Sequence, residues 1–311
     1  MGFYLMFNLA EQKMFVNKIG VEFSEKNEPN SADKLVIAVL VTYSKPLINV
    51  PAWSTLNDWL ISSKNSHLTL NHILIYDNSP DPILRDFQDD DQLTYIHDPS
   101  NGGTRAALLK GSEIGLLKNA DWLLMVDHDT LLPKNLLNIA ADVSSQISAI
   151  PYAALAPKVL QNGALISPAT ISSAGIIRPI EEDATHNARV LITAIASGTF
   201  FNVASLNKIG KIPDIFWLDG LDHWIFCKFN QQNESVGILN CMLEHELSLN
   251  NIKNMPDWRI INFINSQREL LKVLPILASL TYPYRLFRFL LRVYWADKIK
   301  AKVILKRLFF K

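Results

Sequence analysis

The strongest pattern along the chain is an apolar, β-branched run, LVIAVLVTY at 35–43. Such a run is what a strand covered on both faces requires, and it points to a parallel sheet. The period then changes. Within 50–62, Trp53, Leu56, Trp59 and Leu60 recur at helical spacing, and HILIYDNSPDP at 72–82 returns to a strand that ends in the turn residues Asp77, Asn78, Ser79 and Pro80. This β-α-β unit recurs: LTYIHDPS reads as a short strand, 103–118 as a helix opened by NGGT, and DWLLMVDHDT as a strand ending in acids. Alternating strands and helices predict an open α/β fold with a mostly parallel sheet flanked by helices and a binding site at the carboxyl ends of the strands. Polar residues gather at those ends: Thr42, Tyr43 and Ser44; Asp77 to Ser79; Asp127, His128 and Asp129. After about residue 150 the stretches YAALAPKVL, ATISSAGIIRP and VLITAIASGTFFNV continue the same fold. The division expected is an N-terminal arm at 1–33, a main domain at 34–250 and a basic, amphipathic helical region at 251–311.

Composition narrows the partners. Of 311 residues, 49% are hydrophobic and 19% charged, with 30 Lys+Arg against 30 Asp+Glu, which excludes a disordered chain and predicts no nucleic-acid partner. Cys227 and Cys241 are too few for a thiolate zinc site or a secreted disulfide scaffold, so a reducing compartment is expected. MGFYLMFNLAEQ at the start has no basic n-region, and no apolar run approaches the roughly 20 residues that span a bilayer. The expectation is a cytoplasmic protein without a transmembrane helix. Net neutrality hides an asymmetry, however: 281–311 carries nine basic residues against one acid, Asp297, a net +8, and the rest is therefore −8. Aromatic and aliphatic residues alternate with those charges. One reading is a helix on the inner face of an anionic membrane, the other a helix packed on its own domain with a solvated basic face.

Several residues could carry chemistry. Asp127 and Asp129 stand at i and i+2 where a buried strand ends, and two hard carboxylates there suit Mg²⁺ or Mn²⁺ shared with a ligand's phosphates. The alternative is a turn in which Asp129 caps the helix KNLLNIAADV. Asp77 either closes its own turn or accepts hydrogen bonds from a base or ribose. NGGTRAALLKG could bring backbone amides, Arg105 and a helix N-terminus to phosphate. Asp219 and Asp222 lie three apart, on one face if their segment is helical, beside Phe216 and Trp217; one could serve as a general base, or both complement a helix dipole. His245 is either a metal ligand or a structural histidine.

These pieces occur in an order that resembles the family 2 glycosyltransferases of the GT-A fold, and within them the bacterial rhamnosyltransferase-like enzymes of surface polysaccharide synthesis. The resemblance runs from about residue 35 to 248 and rests on VTYSKP, YDNSP, NGGTRAALLKG, DWLLMVDHDTLLP, ASGTFFNVASLNKIG and FWLDGLDHW. It implies a Rossmann-like sheet and an inverting, metal-dependent transfer of a sugar from a dTDP- or UDP-sugar to a carbohydrate or lipid-linked acceptor. Thr42, Tyr43 and Asp77 would hold the nucleoside, with Asn101, Gly103, Arg105 and Asp127 also in the donor site. Asp127, Asp129 and His245 would hold Mn²⁺ or Mg²⁺, Asp222 would be the base, and Asp219 would orient it or the sugar. Gly198 and Trp217 would stand on the sugar or acceptor side. The chain departs from the family pattern at Trp224, Lys228 and Leu109; Trp224 beside the base would suit stacking on a sugar face. Two rival readings are a sugar-nucleotide nucleotidyltransferase and a non-catalytic nucleotide-sugar-binding module. VTYSKPLINV lacks the Gly-rich basic loop expected of the first, and the five aspartates count against the second.

Overall fold

The structure is a computed structural model and describes residues 34–62, 67–84, 89–145, 152–180, 191–244 and 252–309. Its first half follows the sequence pattern. Strands β1 (Lys34–Thr42), β2 (Leu68–Asp77), β3 (Leu93–His97) and β4 (Trp122–Asp127) are all parallel, in the order β3-β2-β1-β4. Between them run α1 (Pro51–Ser62) and α2 (Gly103–Leu117), and α3 (Leu136–Ser145) follows β4. Pro51 opens α1, where its missing N–H is no loss and its fixed φ suits the first helical turn.

The unbroken apolar run of β1 has a direct structural cause. Ile37, Val39 and Val41 point into one core with residues of α2, whereas Val36, Ala38 and Leu40 point into a second core with Ala52, Leu56 and Trp59 of α1 and Leu136 and Ala140 of α3. A strand with helices on both faces needs apolar residues at every position.

The second half completes an eight-stranded sheet. β10 (Phe200–Asn202) inserts antiparallel between β4 and β5 (Tyr152–Gln161), β11 (Ser235–Glu244) pairs parallel with β5, and β6 (Ala164–Ser167) pairs antiparallel with it. A small sheet forms from β7 (Ala169–Ile171), β8 (Ile177–Pro179) and β9 (Leu191–Thr193). Asn202 caps α4 (Val203–Lys208) by accepting from Ser205 N at 3.0 Å, and α5 (Leu221–Gln231) precedes β11. Three helices close the chain: α6 (Asp257–Leu270), α7 (Ile276–Ala296) and α8 (Lys298–Phe309). Among the described residues no helix is long and apolar enough to cross a membrane.

Register sets the position of the site. Thr42 pairs with Asp77, Val41 with Asp127 and Asp77 with His97, so the polar strand ends reach one edge of the sheet together.

Candidate active site

At that edge lies a cleft of about 600 Å³. Its floor is the end of β1 with Thr42 and Tyr43, the end of β4 with Asp127 and Asp129, and Asn78 after β2. Asn101, Gly103 and Thr104 close one side, the 194–197 segment another, and the residues from Trp217 to His223 a third. Trp258, Arg259, Phe263 and Gln267 of α6 complete the wall. Residues separated by more than two hundred positions in sequence thus meet around one cavity, and the C-terminal helical region contributes to it directly.

Asp77 sits beneath this surface. It is fully buried and accepts hydrogen bonds from Ser79 N at 3.0 Å, Ile83 N at 2.9 Å, the Tyr95 hydroxyl at 2.6 Å and the Ser79 hydroxyl. Ser79 Oγ in turn accepts from Ser44 N at 2.7 Å, tying the segment after β1 to the turn after β2. Of the two readings open in the sequence, the hydrogen bonds favour the turn: Asn78 lines the cleft, and Asp77 shapes the wall that carries it. Burial raises the Asp77 pKa, but the hydrogen bonds from Ser79, Tyr95 and Ile83 outweigh it and hold the group below its ordinary value of 3.8. The stabilising contribution is therefore present above 3.8 and lost as pH falls through the depressed pKa. Asp77→Asn is expected to lower stability at pH 7 by about 1–3 kcal/mol, since an amide cannot satisfy the same donors, and to flatten the decline in urea midpoint between pH 5 and pH 2. A wild-type slope in the variant would remove Asp77 as its source.

The Gly-rich segment is organised by Asp98, which the sequence reading did not single out. It accepts from the Tyr76 hydroxyl at 2.8 Å, Ser100 N at 3.0 Å and Gly102 N at 2.9 Å. Gly103, with φ +69°, donates to Asn78 Oδ1 at 3.0 Å; a Cβ there would lie 2.3 Å from the Trp217 carbonyl oxygen, so only glycine fits. Arg105 is a correction. Its side chain turns away from the cleft to the Ile212 carbonyl, 2.8 Å from Nη2, and to Asp214 at 2.7 Å. The Arg105 backbone N–H goes to the Trp217 carbonyl at 3.2 Å, so the α2 terminus holds the neighbouring wall and is not a bare anion site.

At the end of β4 the capping alternative does not hold. Asp127 and Asp129 both line the cleft, while α3 begins only at Leu136, too far along the chain for Asp129 to cap it. The 194–199 segment runs against this strand end: Ser197 Oγ accepts from Asp127 N at 2.9 Å and pairs with Thr130 Oγ1 at 2.7 Å. Gly198, φ +82°, lies behind that wall, where a Cβ would come 2.2 Å from Leu243 Cδ1. It permits the close approach and does not line the cavity. Among the described residues no three His, Cys, Asp or Glu side chains converge as a metal cage. Two carboxylates at a cleft floor nevertheless fit a hard cation that keeps several coordination places for a ligand's phosphate oxygens. His245 lies outside the described residues.

Asp219 and Asp222 both face the cleft from unlike settings. Gly220, φ +81°, breaks the backbone between them, so Asp219 precedes α5 and Asp222 lies in its first turn. Asp219 is 5% exposed at its side chain and accepts from Arg259 Nη2 at 3.1 Å. Its Oδ2 has no hydrogen-bonding partner among the described residues. Desolvation raises its pKa, and the nearby Arg259 guanidinium offsets this only in part. Its effect on stability is opposite to that of Asp77, greatest below 3.8 and lost as pH rises through the raised pKa. Asp222 is 24% exposed and accepts from His223 N at 2.8 Å, while His223 Nδ1 pairs with Thr193 Oγ1 at 2.8 Å.

The aromatic assignments divide. Trp217 lines the cleft and packs on Trp258, ring centroids 5.5 Å apart. Trp224 is a correction: it points into the core against Phe216, centroids 6.0 Å apart, and is only 5% exposed. Helical geometry explains the difference, because Trp224 is two residues beyond Asp222 and therefore on another side of α5. Trp258 and Arg259 escaped sequence reading because MPDWRI carries no spacing signal, and only the packing of α6 brings them to the site.

No protein-family model matches the sequence, and no curated protein does. Solved structures do match. TarS of S. aureus has 14% identity and a TM-score of 0.43, over 76% of this chain and 39% of that one. TarS 1-349 in complex with UDP-GlcNAc has 15% identity and a TM-score of 0.43, over 77% of this chain and 66% of that one. The mannosyltransferase PcManGT from Pyrobaculum calidifontis, in complex with GDP-Man and Mn²⁺, has 12% identity and a TM-score of 0.43, over 96% of this chain and 80% of that one. The chain thus spans about two fifths of the TarS chain and about two thirds of its 1-349 form. These likenesses are too distant to assign a role to any residue.

Proposed function

We propose that the protein is an inverting GT-A glycosyltransferase of the family 2 type, taking a sugar from a nucleotide-diphosphate donor to a carbohydrate hydroxyl. The observation that carries this reading is the convergence of Thr42, Tyr43, Asn78, Asn101, Gly103, Asp127, Asp129, Asp219 and Asp222 on one cleft at the carboxyl ends of parallel strands. In an α/β sheet that edge is where nucleotides bind.

Thr42, Tyr43 and Asn78 form the nucleoside end, with Tyr43, 46% exposed, offering a ring face. Asp127 and Asp129 would hold a divalent ion, Mn²⁺ or Mg²⁺, which would supply positive charge to offset that building on the departing diphosphate. Asp222 takes the proton from the acceptor hydroxyl as its oxygen attacks the anomeric carbon. The bond from that carbon to the phosphate oxygen breaks, its electron pair leaves with the diphosphate, and the configuration inverts. Asp219, fixed by Arg259, orients the sugar or the attacking oxygen, and the Trp217–Trp258 pair offers apolar ring surface to a sugar face.

A thermal-shift series with UDP, dTDP, GDP and CDP, with and without Mn²⁺, tests the donor site. One nucleotide is expected to raise Tm in a metal-dependent manner, by an amount equivalent to about 2.7 kcal/mol at a hundredfold excess over Kd, and Asp129→Ala is expected to abolish the metal dependence. No shift with any of the four would overturn the reading.

A further inference from the structure

Helix α7 has two different sides. One is anchored: Ala278 and Val293 are buried, Phe289 packs on Phe263 with ring centroids 5.1 Å apart, and Thr281 donates to the Ala174 carbonyl at 2.8 Å. Arg285 donates to the Gly175 carbonyl at 3.0 Å. The other side carries Leu277, Leu280, Tyr284, Phe287, Leu291 and Tyr294 at alternating steps of three and four residues, the spacing of one continuous stripe. All six are exposed, Leu280 by 71%, Tyr284 by 64% and Phe287 by 58%. Ile276, Trp295 and Ile299 extend the apolar surface at both ends, each 78% exposed.

The charges beside this stripe select its occupant. α7 contains no Asp or Glu, and Arg288 and Arg292 are both exposed along the stripe. The Arg288 guanidinium lies 5.9 Å from the Tyr284 ring centre, and Lys298 Nζ lies 5.8 Å from that of Tyr294. A second copy of this chain would bring arginines against arginines with no carboxylate on the helix to pair with them. Anionic lipid headgroups meet both demands, accepting the apolar stripe between acyl chains and pairing with the cations at its border, and Tyr and Trp favour that interface.

We propose that α7 is a docking face for an anionic lipid bilayer, lying in the headgroup region with the Leu277-to-Tyr294 stripe directed to the acyl chains. Phe263, against which α7 packs, also lines the cleft, so the cavity wall stands roughly one helix diameter, about 10 Å, from the bilayer. This suits an acceptor carried on a lipid. That last step rests on the transferase reading; the bilayer contact does not.

The test is flotation of the full chain with vesicles of phosphatidylcholine, with and without phosphatidylglycerol, alongside the nucleotide thermal-shift series. Wild type is expected to float with the phosphatidylglycerol vesicles and much less with phosphatidylcholine alone. Leu280→Glu with Phe287→Glu should lower the partition by about tenfold or more, and Arg288→Gln with Arg292→Gln by roughly fivefold for each arginine. All four substituted side chains are exposed, so Tm and the nucleotide response should stay at wild-type values. Three results would overturn the proposal: no flotation with anionic vesicles, equal flotation of the Glu variant, or a wild-type dimer that becomes monomeric in the Glu variant without vesicle binding. A missing nucleotide response with intact flotation would count against the transferase reading alone.

Discussion

Asp222→Ala is expected to lower glycosyl transfer by roughly 10²–10⁴-fold, the usual contribution of a positioned general base, while changing stability by no more than about 0.5 kcal/mol. The two halves of that expectation come from the same geometry. The carboxylate is part-exposed at the cleft and accepts from the N–H of the next residue, and among the described residues its removal strands no distant buried donor. Asp222→Asn sharpens the test, because an amide keeps the size and can still accept from His223 N but cannot take a proton. It should be as inactive as the alanine variant. Asp219→Ala should behave differently, losing stability as well as turnover, because it leaves the Arg259 guanidinium without its carboxylate inside the wall. Full turnover in Asp222→Asn with assigned donor and acceptor would remove Asp222 as the base.

The contrast between these two aspartates also marks what the sequence could tell. Their type and spacing were legible in FWLDGLDHW, and the resemblance implied a role for each, but their unlike surroundings were not legible, because these depend on Arg259, forty residues later, and on the left-handed turn at Gly220. The parallel half of the sheet was legible for a local reason: strands covered on both faces are apolar throughout, and β1 and β4 show it. The insertion of β10 between β4 and β5 had no such mark, since a three-residue strand leaves no period to read. Arg105 was misplaced by the same limit. A basic residue at a Gly-rich helix start matches a phosphate site in sequence, and only the tertiary approach of the 212–214 turn diverts it. In the C-terminal region the basic and apolar mixture was legible, but which side of α7 packs on the domain and which stays exposed was not, because it depends on the approach of Phe263 and of the 174–175 turn.

Trp224→Ala is expected to destabilise the protein by about 3–5 kcal/mol, the cost of emptying a buried aromatic site that cannot fully collapse. The indole is surrounded by core, and its neighbour Phe216 is completely buried. Losing it would also loosen the turn from Asp214 to Gly220, which places Trp217 and Asp219 at the cleft, so turnover should fall with stability and recover in part at lower temperature. Trp258→Ala should give the opposite pair of results. Its side chain is half exposed at the cleft wall, so stability should stay within about 0.5 kcal/mol of wild type. Losing one face of the Trp217–Trp258 pair should instead raise the KM for a sugar substrate by roughly 2–10-fold, the equivalent of one aromatic contact. Urea unfolding and steady-state kinetics on the two variants separate the roles. A stable Trp224→Ala with a raised KM would return Trp224 to the site and require α5 to be rotated from the orientation described.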